Sequence, residues 1–310
     1  MPELPEVTTT VNGLQRVLPS LKISDVWTDL AKKKVSRKDF EYTIKSQKFF
    51  NNFKKSITGA KVVSVKRRAK NILIHLNNGK TILIHLKMTG HLIFGEYVYD
   101  KKRNVWLPHP NERASLHDPY NRFVHVVFTF SPKKHLAFCD SRKFGKVTLI
   151  DTKTAHDTVH LKGVGPEPLE KTFTFKNFKD VLAKKPNWPI KQILMDQYTV
   201  AGIGNIYSDE MLWLASIHPE SKINKIPDKT LQLLYKAMQT VLKKGINFGG
   251  DSMSDYRDVN GERGRFQNHH NVYQKKNEQC GKKGCRGVII RSVIGGRSAH
   301  FCPIHQKLFN

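Results

Sequence analysis

The chain has 310 residues, with 53 Lys and Arg against 26 Asp and Glu, for a formal charge of +27. That length suggests about two domains and can bury a core without disulfide staples, and 39% hydrophobic with 25% charged residues excludes wholesale disorder. So positive a chain attracts polyanions, while no apolar run nears the ~20 residues of a membrane-spanning helix, and the opening MPELPEV, with two acids and no apolar stretch, does not read as a secretory signal.

Residues 5–18 read as a helix. Val7, Val11, Leu14 and Leu18 form one apolar stripe at three- and four-residue spacing, and Pro5 is tolerated in a first turn, where its missing N–H would be unpaired anyway. Residues 57–150 read as strands. Asn71-Ile-Leu-Ile-His-Leu and Thr81-Ile-Leu-Ile-His-Leu flank Asn77-Asn78-Gly79, a strong hairpin signal. Further runs at 123–130, 134–140 and 145–151 suggest a sandwich or barrel, with Cys139 as a small core residue. A Pro/Gly-rich joint, Gly163 to Leu169, marks a linker over 151–170 after a first domain of 1–150. The period then turns helical over 171–270. Leu231, Leu234, Tyr235, Met238, Val241 and Leu242 share one side of a helix over 229–244, with Gly245 as its stop. Residues 249–269 have no period and read as a long loop.

The last segment, 271–310, carries the strongest physical motif. Cys280-x4-Cys285 is followed by sixteen residues and then Cys302-x2-His305. Zinc favours four such ligands in a tetrahedron, and two close pairs can each clip one side of the ion. Gly287–Ile294 and Arg297–Phe301, around Gly295-Gly296, predict a two-stranded hairpin too small to stand alone, which one bound Zn2+ would stabilise. Four protein ligands imply a closed, structural site. His300 is a rival for the fourth position.

The amino terminus offers a nucleophile. Removal of Met1 would leave Pro2 with a secondary amine, and α-amino groups titrate near ~8. Such an amine can attack an aldehyde-level carbon as a Schiff-base lysine does. Glu3 and Glu6 stand beside it, able to donate and accept protons. Equally, Glu in a first turn simply favours the helix dipole.

Taken together and in order, these fragments resemble the formamidopyrimidine-DNA glycosylase / endonuclease VIII family almost end to end. The resemblance rests on Met1-Pro-Glu-Leu-Pro-Glu-Val7, Lys66-Arg-Arg-Ala-Lys70, His85-Leu-Lys-Met88-Thr-Gly90, Asp140-Ser-Arg-Lys-Phe-Gly145, Gly165-Pro-Glu-Pro-Leu169, Leu194-Met-Asp196, Val200-Ala-Gly-Ile-Gly-Asn-Ile-Tyr207 and the terminal finger. It implies an α+β fold: an amino-terminal helix with a β-sandwich, then a helix-two-turns-helix domain, then a zinc-finger β-hairpin. It implies a base-excision-repair enzyme that flips a damaged base out of duplex DNA. Pro2 would attack C1′, Glu3 would be the proton donor, Glu6 a supporting carboxylate, and the strand would break by β,δ-elimination. Lys70, Asn205, Arg297 and His85 would contact phosphates flanking the lesion. Met88, Arg142 and Phe144 would fill the void in the stack, with Arg142 reading the orphaned base.

The run from Gly249 to Phe266 is similar to the branch that covers a flipped oxidised purine with a long mobile loop, which implies 8-oxoguanine and formamidopyrimidines as substrates. Arg257 and Arg263 would add charge to that loop. The chain departs from the family in its Cys3His finger and in Asp140-Ser-Arg-Lys, where Asp-Pro-Arg-Arg would be usual. Oxidised pyrimidines, or damage binding without catalysis, are the alternatives. The resemblance further implies a monomer acting on double-stranded DNA with oxidised bases or abasic sites, with no membrane partner, in the cytoplasm at the nucleoid.

Overall fold

The apolar stripe at the amino end folds as helix α1, Leu4–Val17, and buries Val7, Val11 and Leu14. The computed structural model describes residues 1–310. Contacts divide them into two units, Met1–Lys162 with Gly249–Arg265, and Gly163–Phe248 with Phe266–Asn310. The division at 162/163 falls inside the expected linker. It differs from the expected domains in two ways: 249–265 groups with the first unit, not with 171–270, and 271–310 is not a unit of its own.

In the first unit α1 is followed by β1 (Asp25–Thr28), α2 (Gln47–Ile57), β2 (Val62–Arg68), β3 (Asn71–Leu76), β4 (Lys80–His85), β5 (His91–Gly95), β6 (Tyr97–Asp100), β7 (Val105–Pro108), β8 (Val124–Ser131), β9 (Lys134–Cys139) and β10 (Lys146–Asp151). Two four-stranded antiparallel sheets form, ordered β1-β8-β9-β5 and β10-β4-β3-β2, and β6 and β7 make a separate hairpin. One core takes Val26, Leu92, Phe128 and Phe138 from the first sheet, Val65, Ile72, Ile74, Ile84 and Val147 from the second, and α1 and α2 besides. The unbroken apolar run of β3 has a cause. Ile72 and Ile74 face that core, whereas Leu73 turns to a second cluster with Leu83, Ile150 and Leu161. Strands covered on both faces do not alternate.

The second unit holds α3 (Phe175–Ala183), α4 (Ile190–Met195), α5 (Asn205–Leu214), α6 (Asp228–Asn247), β11 (Ile290–Ile294) and β12 (Arg297–Phe301). α5 packs on α4, α6 and β12. The helix expected over 229–244 runs three residues further. Gly245 does not stop it but is buried within it, and the chain leaves at Phe248. The predicted finger hairpin is present, with Ile294 paired to Arg297. Gly295 and Gly296 take φ of 57° and 73° in its two-residue turn, values that favour glycine.

Gly13 sits inside α1, where glycine costs about 1 kcal/mol relative to alanine. A Cβ there would lie 2.3 Å from Cγ2 of Val259, so the glycine makes room for the 249–265 segment. Gly13→Val is expected to lower stability by about 1–3 kcal/mol through overpacking. A urea midpoint unchanged from the parent would contradict this contact.

Candidate functional site

The first unit gathers eight of the residues singled out in the sequence. Glu3 stands at the N-terminus of α1 in extended backbone, and Glu3 and Glu6 form a reciprocal capping box. Both are 2% exposed. Glu6 Oε2 accepts from the Glu3 amide at 2.7 Å, and its Oε1 accepts from the Asp251 amide at 2.8 Å. The Tyr256 hydroxyl donates to the Glu6 carbonyl at 3.0 Å. One buried carboxylate therefore ties the amino terminus to a segment 245 residues away. Pro2 is buried while Met1 is 44% exposed. α1 packs on β2 and β3, and the turn joining those strands carries Lys70, itself buried.

His85 ends β4 beside a cluster of cations. Burial, with Lys87, Lys70 and Lys146 around it, pushes its imidazole down to about 3. The ring is therefore neutral at physiological pH. The Lys87 amide donates to Nδ1 at 3.0 Å, which assigns the ring proton to Nε2 and leaves a donor suited to a phosphate oxygen.

Met88 and Phe144 are 37% and 47% exposed, on the turns 87–89 and 141–144. Exposed side chains of this size are unlike strand packing. The Arg142 guanidinium lies over the Phe144 ring, 4.6 Å from its centroid. Asp140 joins the two turns. Its Oδ1 accepts from the Thr89 hydroxyl and, at 3.3 Å, from the Arg142 amide, and its Oδ2 accepts from the Gly145 amide at 2.6 Å. From behind, the buried Lys45 ammonium donates to the Lys143 carbonyl at 2.8 Å, and burial brings its pKa down to about 8. Sequence reading gave no role to Lys45, Thr89 or Asp140, since each acts through a partner remote in the chain. Nor does Arg257 add charge to the loop surface: it is 2% exposed and paired with Asp118. Arg263 is exposed and donates to the Ser252 carbonyl at 3.1 Å.

The second unit brings together Asn205, Arg297 and the metal ligands. Asn205 is the first residue of α5, after Gly204 as N-cap. The Gln197 side chain shapes the approach, donating to the Ile203 carbonyl at 2.8 Å and accepting from the Gly202 amide at 2.9 Å. Asn205 Nδ2 donates to Ser298 Oγ at 3.2 Å, which places the start of α5 next to the exposed Arg297. Lower on α5, Asp209 pairs with the buried Lys191 and accepts from the His300 amide at 2.9 Å.

His300 Nδ1 also faces Asp209, at 3.3 Å, and lies outside the cluster that can hold a metal ion. That cluster is Cys280, Cys285, Cys302 and His305, with ligand atoms all within 4.8 Å of one another. Cys285 and Cys302 sulfurs are 3.6 Å apart, close to the S···S edge of about 3.8 Å of a tetrahedron with Zn–S bonds of about 2.3 Å. Cys280 Sγ is 3.2 Å from His305 Nδ1, and His305 Nε2 donates to the Trp213 carbonyl at 3.1 Å, leaving Nδ1 for the ion. The donor set fits zinc. Trp213 Nε1 and the Gly287 amide donate to the Cys280 and Cys285 sulfurs at 3.4 and 3.3 Å, as partners of thiolates do.

Two tests follow from this chemistry. An imidazole near ~6.5 in the unfolded chain binds a proton that folded His85 refuses down to about 3. Stability present above pH ~6.5 is therefore lost as pH falls from there toward 3. His85→Gln is expected to flatten this acid limb of the urea-midpoint profile; a profile superimposable on the parent's would contradict the half-buried neutral ring. Chelating zinc from the full-length protein is expected to change Trp213 fluorescence and to spare the first unit. An unaltered spectrum, with the Trp213→Phe variant as control, would place the ion elsewhere.

Sequence models of the formamidopyrimidine-DNA glycosylase N-terminal domain and of the formamidopyrimidine-DNA glycosylase H2TH domain match residues 1–147 and 164–257. The formamidopyrimidine-DNA glycosylase of Pelotomaculum thermopropionicum is 35% identical over 99% of this chain and 100% of its own. That of Bacillus subtilis is 34% identical over 97% and 98%. Among solved structures, Lactococcus lactis Fpg bound to DNA with an abasic site superposes with a TM-score of 0.80 at 30% identity, covering 98% of this chain and 99% of that one. A point mutant of the same protein, with DNA containing Fapy-dG, gives 0.81 at 31% identity over 99% and 100%. No helix of this chain is long and apolar enough to cross a membrane.

Proposed function

The chain belongs to the formamidopyrimidine-DNA glycosylase family, and from that premise we propose a base-excision-repair DNA glycosylase with AP-lyase activity, acting on oxidised purines in double-stranded DNA. The observation that carries the reading is the pair of buried carboxylates, Glu3 and Glu6, fixed around the residue that becomes the amino terminus once Met1 is removed. A binding protein has no need of this arrangement.

The chemistry follows from the groups present. The Pro2 nitrogen adds to C1′ of the flipped nucleotide, the glycosidic bond breaks, and Glu3 supplies a proton as the sugar ring opens and the base departs. Glu6 holds the Glu3 backbone through its amide, so the acid is positioned before substrate arrives. The iminium formed at C1′ withdraws electrons and acidifies C2′. Loss of that proton expels the 3′ phosphate, a second loss at C4′ expels the 5′ phosphate, and water hydrolyses the iminium to return Pro2. Lys70, His85, Asn205 and Arg297 are assigned to phosphates, where they fix register without reading sequence. Met88, Arg142 and Phe144 are assigned to the hole left by the flipped base. Zinc on Cys280, Cys285, Cys302 and His305 supplies a cross-link that holds the hairpin bearing Arg297; a site with four protein ligands leaves no place for substrate.

Oxidised purines are favoured by the 249–265 segment, which lies against Glu6, and by solved relatives bound to DNA containing Fapy-dG or carbocyclic 8-oxo-G. A role on the nucleoid, as a monomer, accords with the +27 charge.

Borohydride trapping on an 8-oxoguanine:cytosine duplex, beside a 5,6-dihydrouracil duplex, tests the reading. A covalent adduct is expected only with Met1-processed protein, and more of it with the purine. Glu3→Gln is expected to keep lesion binding and lose excision by about 100-fold to 10,000-fold. No adduct despite a free Pro2 and tight binding would make this a damage-binding protein, and preferential trapping of dihydrouracil would move the substrate to oxidised pyrimidines.

A further inference from the structure

We propose that Arg257 is a positioning residue for substrate selection: through Asp118 it locks residues 249–265 onto the sandwich before DNA arrives, so that a damaged base meets a preformed wall. The proposal rests on the reading that Pro2 and Glu3 form the reacting centre.

Residues 249–265 contain no helix or strand, yet they are anchored at three places. The first is Glu6, which holds the Asp251 amide and the Tyr256 hydroxyl. The second is Val259, which enters the main core and whose carbonyl accepts from the Phe94 amide at 2.9 Å. Beside it the Asn260 carbonyl accepts from Ser115 Oγ at 2.7 Å and Arg113 Nε at 3.0 Å. The third is the Arg257 guanidinium, whose three nitrogens are all engaged. Nε and Nη2 grip both Asp118 oxygens at 3.1–3.2 Å, and Nη1 donates to the carbonyls of Ser254 and Tyr256, both at 2.9 Å. The Tyr120 ring covers the group at 4.7 Å, and the Tyr120 amide fixes Asp118 at 2.9 Å.

This geometry does more than fasten the segment. Nη1 gathers two carbonyls of the segment itself, so it sets the curvature of the stretch 254–256 as well as its place. Between the Glu6 and Arg257 anchorages the side chains of Met253 and Ser254 are exposed, and they are the part of the stretch able to touch a base. A buried fork with every donor satisfied resists displacement far better than an exposed pair. A segment ordered in advance spares the entropy that would otherwise be lost on binding. Excision needs the base held, whereas cleavage at an abasic site has no base to hold. The clamp should therefore matter to the first activity and not to the second.

The test uses the full-length, zinc-loaded, Met1-processed protein. Arg257→Met, Asp118→Asn and the double variant are compared with the parent in three measurements: 8-oxoguanine excision, abasic-site cleavage, and amide hydrogen exchange of 249–265 without DNA. The expected result is excision lowered about 10-fold to 100-fold with abasic cleavage within about 2-fold of the parent, and faster exchange confined to 249–265. The double variant should equal Arg257→Met, because without the guanidinium the Asp118 carboxylate has no clamp left to lose. Unchanged exchange, or excision and abasic cleavage falling together, would overturn the proposal. A parent that cleaves abasic DNA but excises no oxidised base would overturn the reading of substrate instead, and the exchange comparison would still decide whether Arg257 orders the segment.

Discussion

The first unit depends on where the Glu6 carboxylate spends its two oxygens. One accepts the amide of Glu3 and the other the amide of Asp251. A buried carboxylate without donors would be strongly unfavourable, so the two amides are required, not optional. The same pair of bonds fixes the start of α1 and brings a late segment of chain against it. Gly250 shows how tight the junction is, since a Cβ there would stand 2.9 Å from the Glu6 side chain.

Elsewhere the fold repeats this device, with an acid from one element satisfying amides of another. Asp140 joins the two turns that carry Met88, Arg142 and Phe144 in a similar way, through the Thr89 hydroxyl on one and the Arg142 and Gly145 amides on the other. Asp209 does so between α5 and β12. Glu210 accepts the amides of Asn271, Val272 and Tyr273, all at 2.9–3.0 Å, and so fixes the chain entering the finger. Charge-assisted bonds of this kind are short and directional. They let loops without regular structure hold functional side chains in register, on a protein whose net charge would otherwise drive its cationic surface apart.

What the sequence made legible is what is local. The stripe of α1, the β3–β4 hairpin and the paired Cys/His motif all show within a few residues, and the structure has the helix, the hairpin and a cluster of those four side chains. What stayed hidden is what bridges distance. Arg257 reads as surface charge because Asp118 is 139 residues away, and His300 reads as a rival ligand because Asp209 is 91 residues away. Gly245 reads as a helix stop because its cost of about 1 kcal/mol is visible locally, while the packing that buries it in α6 is not. The roles expected of Pro2 and Glu3 start from amine and carboxylate chemistry and are sharpened by the family resemblance, and that expected of Lys70 comes from the resemblance; none comes from periodicity.

Because the first unit takes one of its core residues, Val259, from beyond α6, its core is complete only after the chain has been made past that residue. Asp251 follows Glu6 by 245 residues, a gap of roughly 12 to 50 seconds at translation rates of about 5–20 residues per second. During that interval the nascent amino end lacks the segment that later packs against it.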